Sequence, residues 1–144
     1  LNCFEDEPYS RHGVRDFEAI HTHADALREE FDIRCAGVEA SAASLSGGNK
    51  QKVVVAREIA SKPRLLMAAQ PTRGVDVGSI EFIHRRIVAA RDEGAAVLLV
   101  SAELDEVLSL ADRIAVIHGG RVVAQMDAAD ADRTEIGRLM AGDH

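Results

Sequence analysis

Ser44-Leu45-Ser46-Gly47-Gly48-Asn49-Lys50-Gln51-Lys52 decides how this chain is read. Two adjacent glycines follow a serine, and a helical pattern starts directly behind them with Val53, Val54, Ala56 and Ile59 on a wide apolar face. A serine hydroxyl accepts from the free N–H groups of a helix's first turn, so Ser46 is the expected N-cap. Gly47 and Gly48 put no Cβ in the way of an approaching ligand. The helix N-terminus adds a partial positive charge and unpaired donors. Together these make an anion seat suited to a phosphate. Taken alone, Ser-Gly-Gly reads more simply as a glycine turn feeding an ordinary helix, and the odds change only with the surrounding string.

Working outward, the helix is expected over residues 46–61, with Pro63 enforcing its end. Leu65–Ala69 is short and continuously apolar, as a central parallel strand is, and Pro71 stops it. Asp76 is placed to cap a helix over residues 77–93, with Ile80, Ile83, Ile87 and Ala90 inward and Gly94 after its end. Residues 95–101 read as a second buried strand and 103–111 as a short helix. Residues 113–118 and 121–126 form a hairpin across Gly119-Gly120. Asp132-Arg133-Thr134-Glu135 opens a last helix with Ile136, Leu139 and Met140 on one face. Upstream, residues 1–13 read as loop. Val14, Phe17, Ile20, Ala24, Leu27 and Phe31 fit one helical stripe, and residues 32–45 are a connector. The alternation predicts an α/β fold with parallel central strands, flanking helices and a C-terminal hairpin.

Composition narrows the function classes. A net charge of −7 argues against a nucleic-acid partner held by charge. The longest apolar run, residues 95–100, is too short to cross a bilayer. Cys3 and Cys35 are far apart without CxxC spacing and read as free thiols. His21 and His23 stand two apart, on different faces of a helix, so no metal site is expected there.

Leu45-Ser46-Gly47-Gly48-Asn49-Lys50-Gln51-Lys52 resembles the signature motif of ABC-type ATPases, LSGG followed by Q. Gln70-Pro71-Thr72-Arg73-Gly74-Val75-Asp76, behind its apolar strand, looks like the Walker B and D-loop region of that family. The string from Gln70 to Ile87 is most similar to the second nucleotide-binding domain of tandem-ATPase importers for simple sugars and nucleosides. The sequence holds no G-x-x-x-x-G-K-[ST], so it carries no P-loop. The resemblance therefore implies a C-terminal fragment of one nucleotide-binding domain of the P-loop NTPase fold. Residues 1–45 would be part of a helical subdomain and connector, and residues 46–144 the signature helix and α/β core.

The resemblance also implies a mechanism. Two such domains dimerise head to tail, with ATP between the P-loop of one and the signature of the other. Ser46, Gly47 and Gly48 would touch ATP and its magnesium complex held by the partner, with Asn49, Lys50 and Gln51 nearby. Asp76 would contact the partner or cap its helix. The pattern departs at the Walker B end. Ala69 stands where an Asp orients magnesium, Gln70 where a Glu polarises water, and Ala102 where a switch His belongs. Gln70 holds water by hydrogen bonding but accepts no proton at neutral pH. No metal ligand is expected in this chain, nor turnover from the chain alone. Further implied partners are membrane-spanning permease subunits and, indirectly, a substrate-binding protein, with a cytoplasmic, peripheral location on the inner face of the membrane. Self-association through exposed strands is expected as well. Two rivals stand beside this reading. An ABC-type segment of a DNA-maintenance complex would show long heptad arms, and none is visible. The other is a non-catalytic α/β interaction domain, in which the Ser-Gly-Gly helix only packs.

Overall fold

The computed structural model describes residues 7–142. Cys3, read as a free thiol, lies outside them, while Cys35 is free and half-buried. The chain divides into two compact units, Leu1–Leu66 with Pro71–Val97 and Met67–Gln70 with Leu98–His144.

The first unit is built on three helices. Helix α1 spans Phe17–Glu30, α2 Gly47–Ala60 and α3 Val77–Asp92. Each begins where a side chain caps it: Asp16 accepts from Ala19 N, Ser46 from Asn49 N and Asp76 from Ser79 N. Phe31, Ile33 and Ala56 form a core against which Leu27, Val55, Ile59 and Phe82 pack. On α3, Ile83, Ile87 and Ala90 are buried as their 3.6-residue spacing requires, and Ile80 is half-buried. The apolar stripe expected from Val14 is shorter than its periodicity suggests. Residues 10–15 form a small antiparallel hairpin, β1 Ser10–Arg11 and β2 Val14–Arg15, in place of loop and helix. Val14 and Phe17 are 72% and 63% exposed. Periodicity records which residues share a face, not whether anything covers it. The connector carries a single 3-10 turn at Ala42–Ser44.

Strands β3 Leu65–Ala69 and β4 Ala96–Val100 pair in a two-stranded sheet. Ala96 N donates to Arg64 O at 2.9 Å and Gln70 N to Val100 O at 2.7 Å. Low-numbered end meets low-numbered end, which is the parallel arrangement expected.

The second unit holds α4 Leu104–Leu110, the hairpin β5 Arg113–His118 and β6 Arg121–Asp127, and α5 Arg133–Ala141. Gly119 and Gly120 have φ of +56° and +76°, so both turn residues take the left-handed conformation of a two-residue hairpin loop. Ile114 and Val116 alternate inward and meet Ile136 of α5, with Leu104, Val107 and Leu139 packed around them. Asp132 caps α5 through Glu135 N. Met140, placed on the inner face by its spacing, is 38% exposed.

Candidate functional site

The quoted stretch folds into a capped helix start. Ser46 has extended backbone, and its Oγ accepts from Asn49 N at 3.3 Å and Asn49 Nδ2 at 3.0 Å. Lys50 N donates to Ser46 O at 2.9 Å, the first bond of the helix. The amides of Gly47 and Gly48 precede that bond, so the helix supplies them no acceptor. These two donors stand at the positive end of a 14-residue helix. Asn49 turns its Oδ1 the other way and accepts from Arg34 N at 2.8 Å, tying the connector to the turn. Ser46, Gly47 and Lys50 are exposed, Asn49 and Gln51 half-buried, and Gly48 buried.

Gly48 is buried for a reason the sequence did not disclose. A Cβ there would stand 2.5 Å from Ser79 Oγ and 2.6 Å from Asp76 Oδ2. At Gly47 a Cβ would meet only Gly74 O, at 3.3 Å. The Gly74–Asp76 segment and the glycine pair therefore lie against each other within one unit. Asp76 accepts twice from Ser79, from its N at 3.0 Å and its Oγ at 2.9 Å. Those bonds, aided by the charge of Lys52, hold the Asp76 carboxyl below the usual aspartate range. Asp76 thus caps α3, one of the two roles weighed for it.

Lys52 lies one turn along α2 and is 7% exposed despite its charge. Its Nζ donates to Asp32 O at 2.9 Å and Asp32 Oδ2 at 2.8 Å, and sits 4.6 Å from the centre of the Phe82 ring. Asp32 takes φ +46°, which presents its carbonyl and carboxylate to the same ammonium. Arg86 of α3 stacks on Phe31 at 4.3 Å and pairs with Glu30 at 3.2 Å. Two cations thus fasten the end of α1 to α2 and α3.

Ala69, Gln70 and Ala102 belong to the second unit. Gln70 is half-buried with φ +50°, although a residue before proline favours extended backbone. Its N–H, bonded to Val100 O, holds it there. Ala69 offers no side-chain oxygen, and no group of His, Cys, Asp or Glu able to hold a metal exists among the described residues. A cavity of about 570 Å³ in the first unit shares only Leu45 with the motif. The two arginines in its wall, Arg28 and Arg57, pair with Asp25 and Glu58, so it is a poor phosphate site.

Solved structures with this fold are ATPase cassettes. A dimeric ATP-binding cassette in a post-hydrolysis state, bound to ADP and phosphate, matches 82% of this chain and 51% of its own, at TM-score 0.69 and 23% identity. An inward-facing metal-chelate type ABC transporter matches 92% of this chain and 53% of its own, at TM-score 0.74 and 16% identity. The fold is thereby that of an ABC-type P-loop NTPase. No family model matches the chain. Among curated proteins, the nucleoside import ATP-binding protein NupA of Lactococcus lactis subsp. cremoris is 51% identical over 142 residues, 99% of this chain. The guanosine import ATP-binding protein NupO of Bacillus subtilis is 46% identical over the same share. A glucose import ATP-binding protein of Haloferax volcanii is 47% identical over 146 residues. The chain belongs to the family of ABC transporter ATP-binding proteins. It spans only 28%, 28% and 26% of the length of these three relatives. No helix of the described residues is long and apolar enough to cross a membrane.

Proposed function

We propose that this chain supplies the signature face of an ABC importer for nucleosides or simple sugars and acts on ATP held by another domain. The observation that carries this is the pair of helix-start amides at Gly47 and Gly48, ordered by the Ser46 cap inside an LSGG string. Two preorganised N–H donors at a helix N-terminus stabilise charge on a terminal phosphate. When bound, the ATP–magnesium complex brings the phosphate to be transferred to water, and its own domain holds it. Ser46 fixes the turn and the two amides face the anion. Lys50 and Gln51 stand within the same turn. Gln70 stands at a position that serves ATP bound to its own domain, not the partner-held ATP, and there it can hold water without taking its proton. Asp76 shapes the turn from behind, and its segment is also the surface for the partner domain. Permease subunits and a substrate-binding protein complete the assembly, with the chain at the cytoplasmic side of the membrane. The nucleoside or sugar is recognised by those other subunits.

Two expected results test this reading. The chain alone does not hydrolyse ATP and binds it with millimolar or weaker affinity, roughly 4 kcal/mol or less. Calorimetry returning a micromolar Kd, or turnover that persists with Gln70→Ala, rules out a site shared with a partner. The chain also associates with itself. Leu65, Met67, Leu98 and Val100 on β3 and β4 are 55%, 67%, 47% and 49% exposed. Apolar side chains on a short, open sheet favour pairing with a second copy. Sedimentation velocity is expected to give a dimer or larger species, and a monomer at high concentration removes the proposal.

A further inference from the structure

We propose that Asp76 and Ser79 form a clamp that positions the signature turn, and that Gly48 lacks a side chain to admit this clamp rather than to admit ATP. The inference rests on the trans-acting reading above for its catalytic consequence but not for its packing claim. Three observations carry it. Gly48 is buried while Gly47 is exposed, so the two glycines differ in what surrounds them. The space a Gly48 Cβ needs is occupied at 2.5 Å by Ser79 Oγ, at 2.6 Å by Asp76 Oδ2 and at 3.2 Å by Ser79 Cβ. Ser79 is itself 7% exposed and its Oγ is locked to Asp76 Oδ2 at 2.9 Å, so neither atom swings away without breaking that bond. A Cβ at Gly47, by contrast, meets one carbonyl oxygen at 3.3 Å.

The consequence is that the segment leading into α3 sets the direction of the Gly47 and Gly48 amides. Displacing Asp76 tilts the first turn of α2 away from any phosphate in front of it. Ser79 is a positioning residue: it touches the turn and not the nucleotide.

The test is a steric rescue in the full-length protein within its assembled transporter. Gly48→Ala forces the clamp open. Asp76→Ser combined with Ser79→Gly shortens both blocking groups, while the introduced serine hydroxyl still caps α3. Two readouts are taken, hydrogen exchange of the peptide covering residues 46–52 and steady-state ATPase kinetics. Gly48→Ala alone is expected to speed exchange of that peptide at least tenfold and to cut kcat at least tenfold with KM for ATP changed less than threefold. Adding Gly48→Ala to the shortened pair is expected to change both readouts by less than threefold relative to that pair. If exchange is equally fast with and without the shortening, the clamp is wrong. If exchange is rescued but kcat is not, the room at Gly48 serves ATP and the proposal is overturned. If no variant, nor Gly47→Asp, alters ATP turnover at all, the trans-acting reading fails while the exchange result still decides the packing claim.

Discussion

Gly47→Asp in the assembled transporter is expected to lower ATP hydrolysis about 100-fold or more, the loss seen when a preorganised donor set at a developing charge is disabled. Gly47 is the better place for this test than Gly48. A side chain at Gly48 collides with Asp76 and Ser79 within its own unit, so loss of activity there mixes disrupted packing with lost phosphate contact. At Gly47 a Cβ meets only Gly74 O, at 3.3 Å, a contact relieved if that carbonyl gives by a few tenths of an ångström. On the trans-acting reading, the added carboxylate brings negative charge to the turn that the phosphate is to approach. Like charges repel most strongly where water is excluded, which is the condition of a closed nucleotide sandwich. Binding of ATP to the partner's P-loop is expected to stay within a few-fold, because no residue of that loop is touched. Gly47→Ala adds the Cβ without the charge and is expected to lose much less, which separates repulsion from bulk. Steady-state ATPase assays with a parallel ATP-binding titration read the split. Full turnover in Gly47→Asp leaves the glycine pair as a helix-start device and sinks the trans-acting role. Ala69→Asp with Gln70→Glu, in contrast, is expected to change turnover little, since Ala102 still stands at the switch position.

Much of this architecture was legible because its signals are local. The caps at Ser46, Asp76 and Asp132 are each fixed within three residues, and each is formed by the side chain the pattern named. The hairpin is set by two glycines at positive φ between alternating apolar strands. What was not legible depends on groups far apart in sequence. Nothing near Gly48 tells that Asp76 and Ser79 fill its missing side-chain volume. Nothing in the sequence around Lys52 announces that Asp32, 20 residues away, turns its carbonyl and a carboxylate oxygen towards it. Val14 and Phe17 belong to an apolar stripe yet remain exposed, since a stripe specifies a face and not its cover. The glycine pair was legible as a helix start, but the different surroundings of its two members were not.

The buried cation at Lys52 leads to the second large effect, on stability. Asp32→Asn is expected to lower Tm by about 5 °C or more, and Lys52→Met by less than half of that. The asymmetry follows from burial. Lys52 is 7% exposed, whereas the Asp32 side chain is 55% exposed. Neutralising Asp32 leaves a buried ammonium with a carbonyl and the Phe82 ring but without its hydrogen-bonded counter-charge, and a buried charge that loses its paired charge is costly. Asparagine is the right probe because it tolerates the left-handed backbone at this position, where φ is +46°. Removing Lys52 instead returns the Asp32 carboxylate to water, while a methionine keeps the unbranched stem over Phe82. The two changes share one interaction, so the double variant is expected to resemble Lys52→Met and not the sum. The pair also sets an acid limb. The hydrogen bond from Lys52, and then its charge, holds the Asp32 carboxyl below its ordinary value. A lowered folded-state value contributes stability that is complete above the ordinary aspartate value of about 4 and is lost as pH falls through the folded one. That limb is expected to shrink in Lys52→Met, with the remainder carried by Asp76 and by Asp105 beside Arg133, which are lowered for the same kind of reason. Thermal melts followed by helix circular dichroism suit a chain without tryptophan. A larger loss for Lys52→Met than for Asp32→Asn, or strict additivity in the double variant, removes the buried-cation account and with it the claim that Lys52 anchors α2 behind the signature turn.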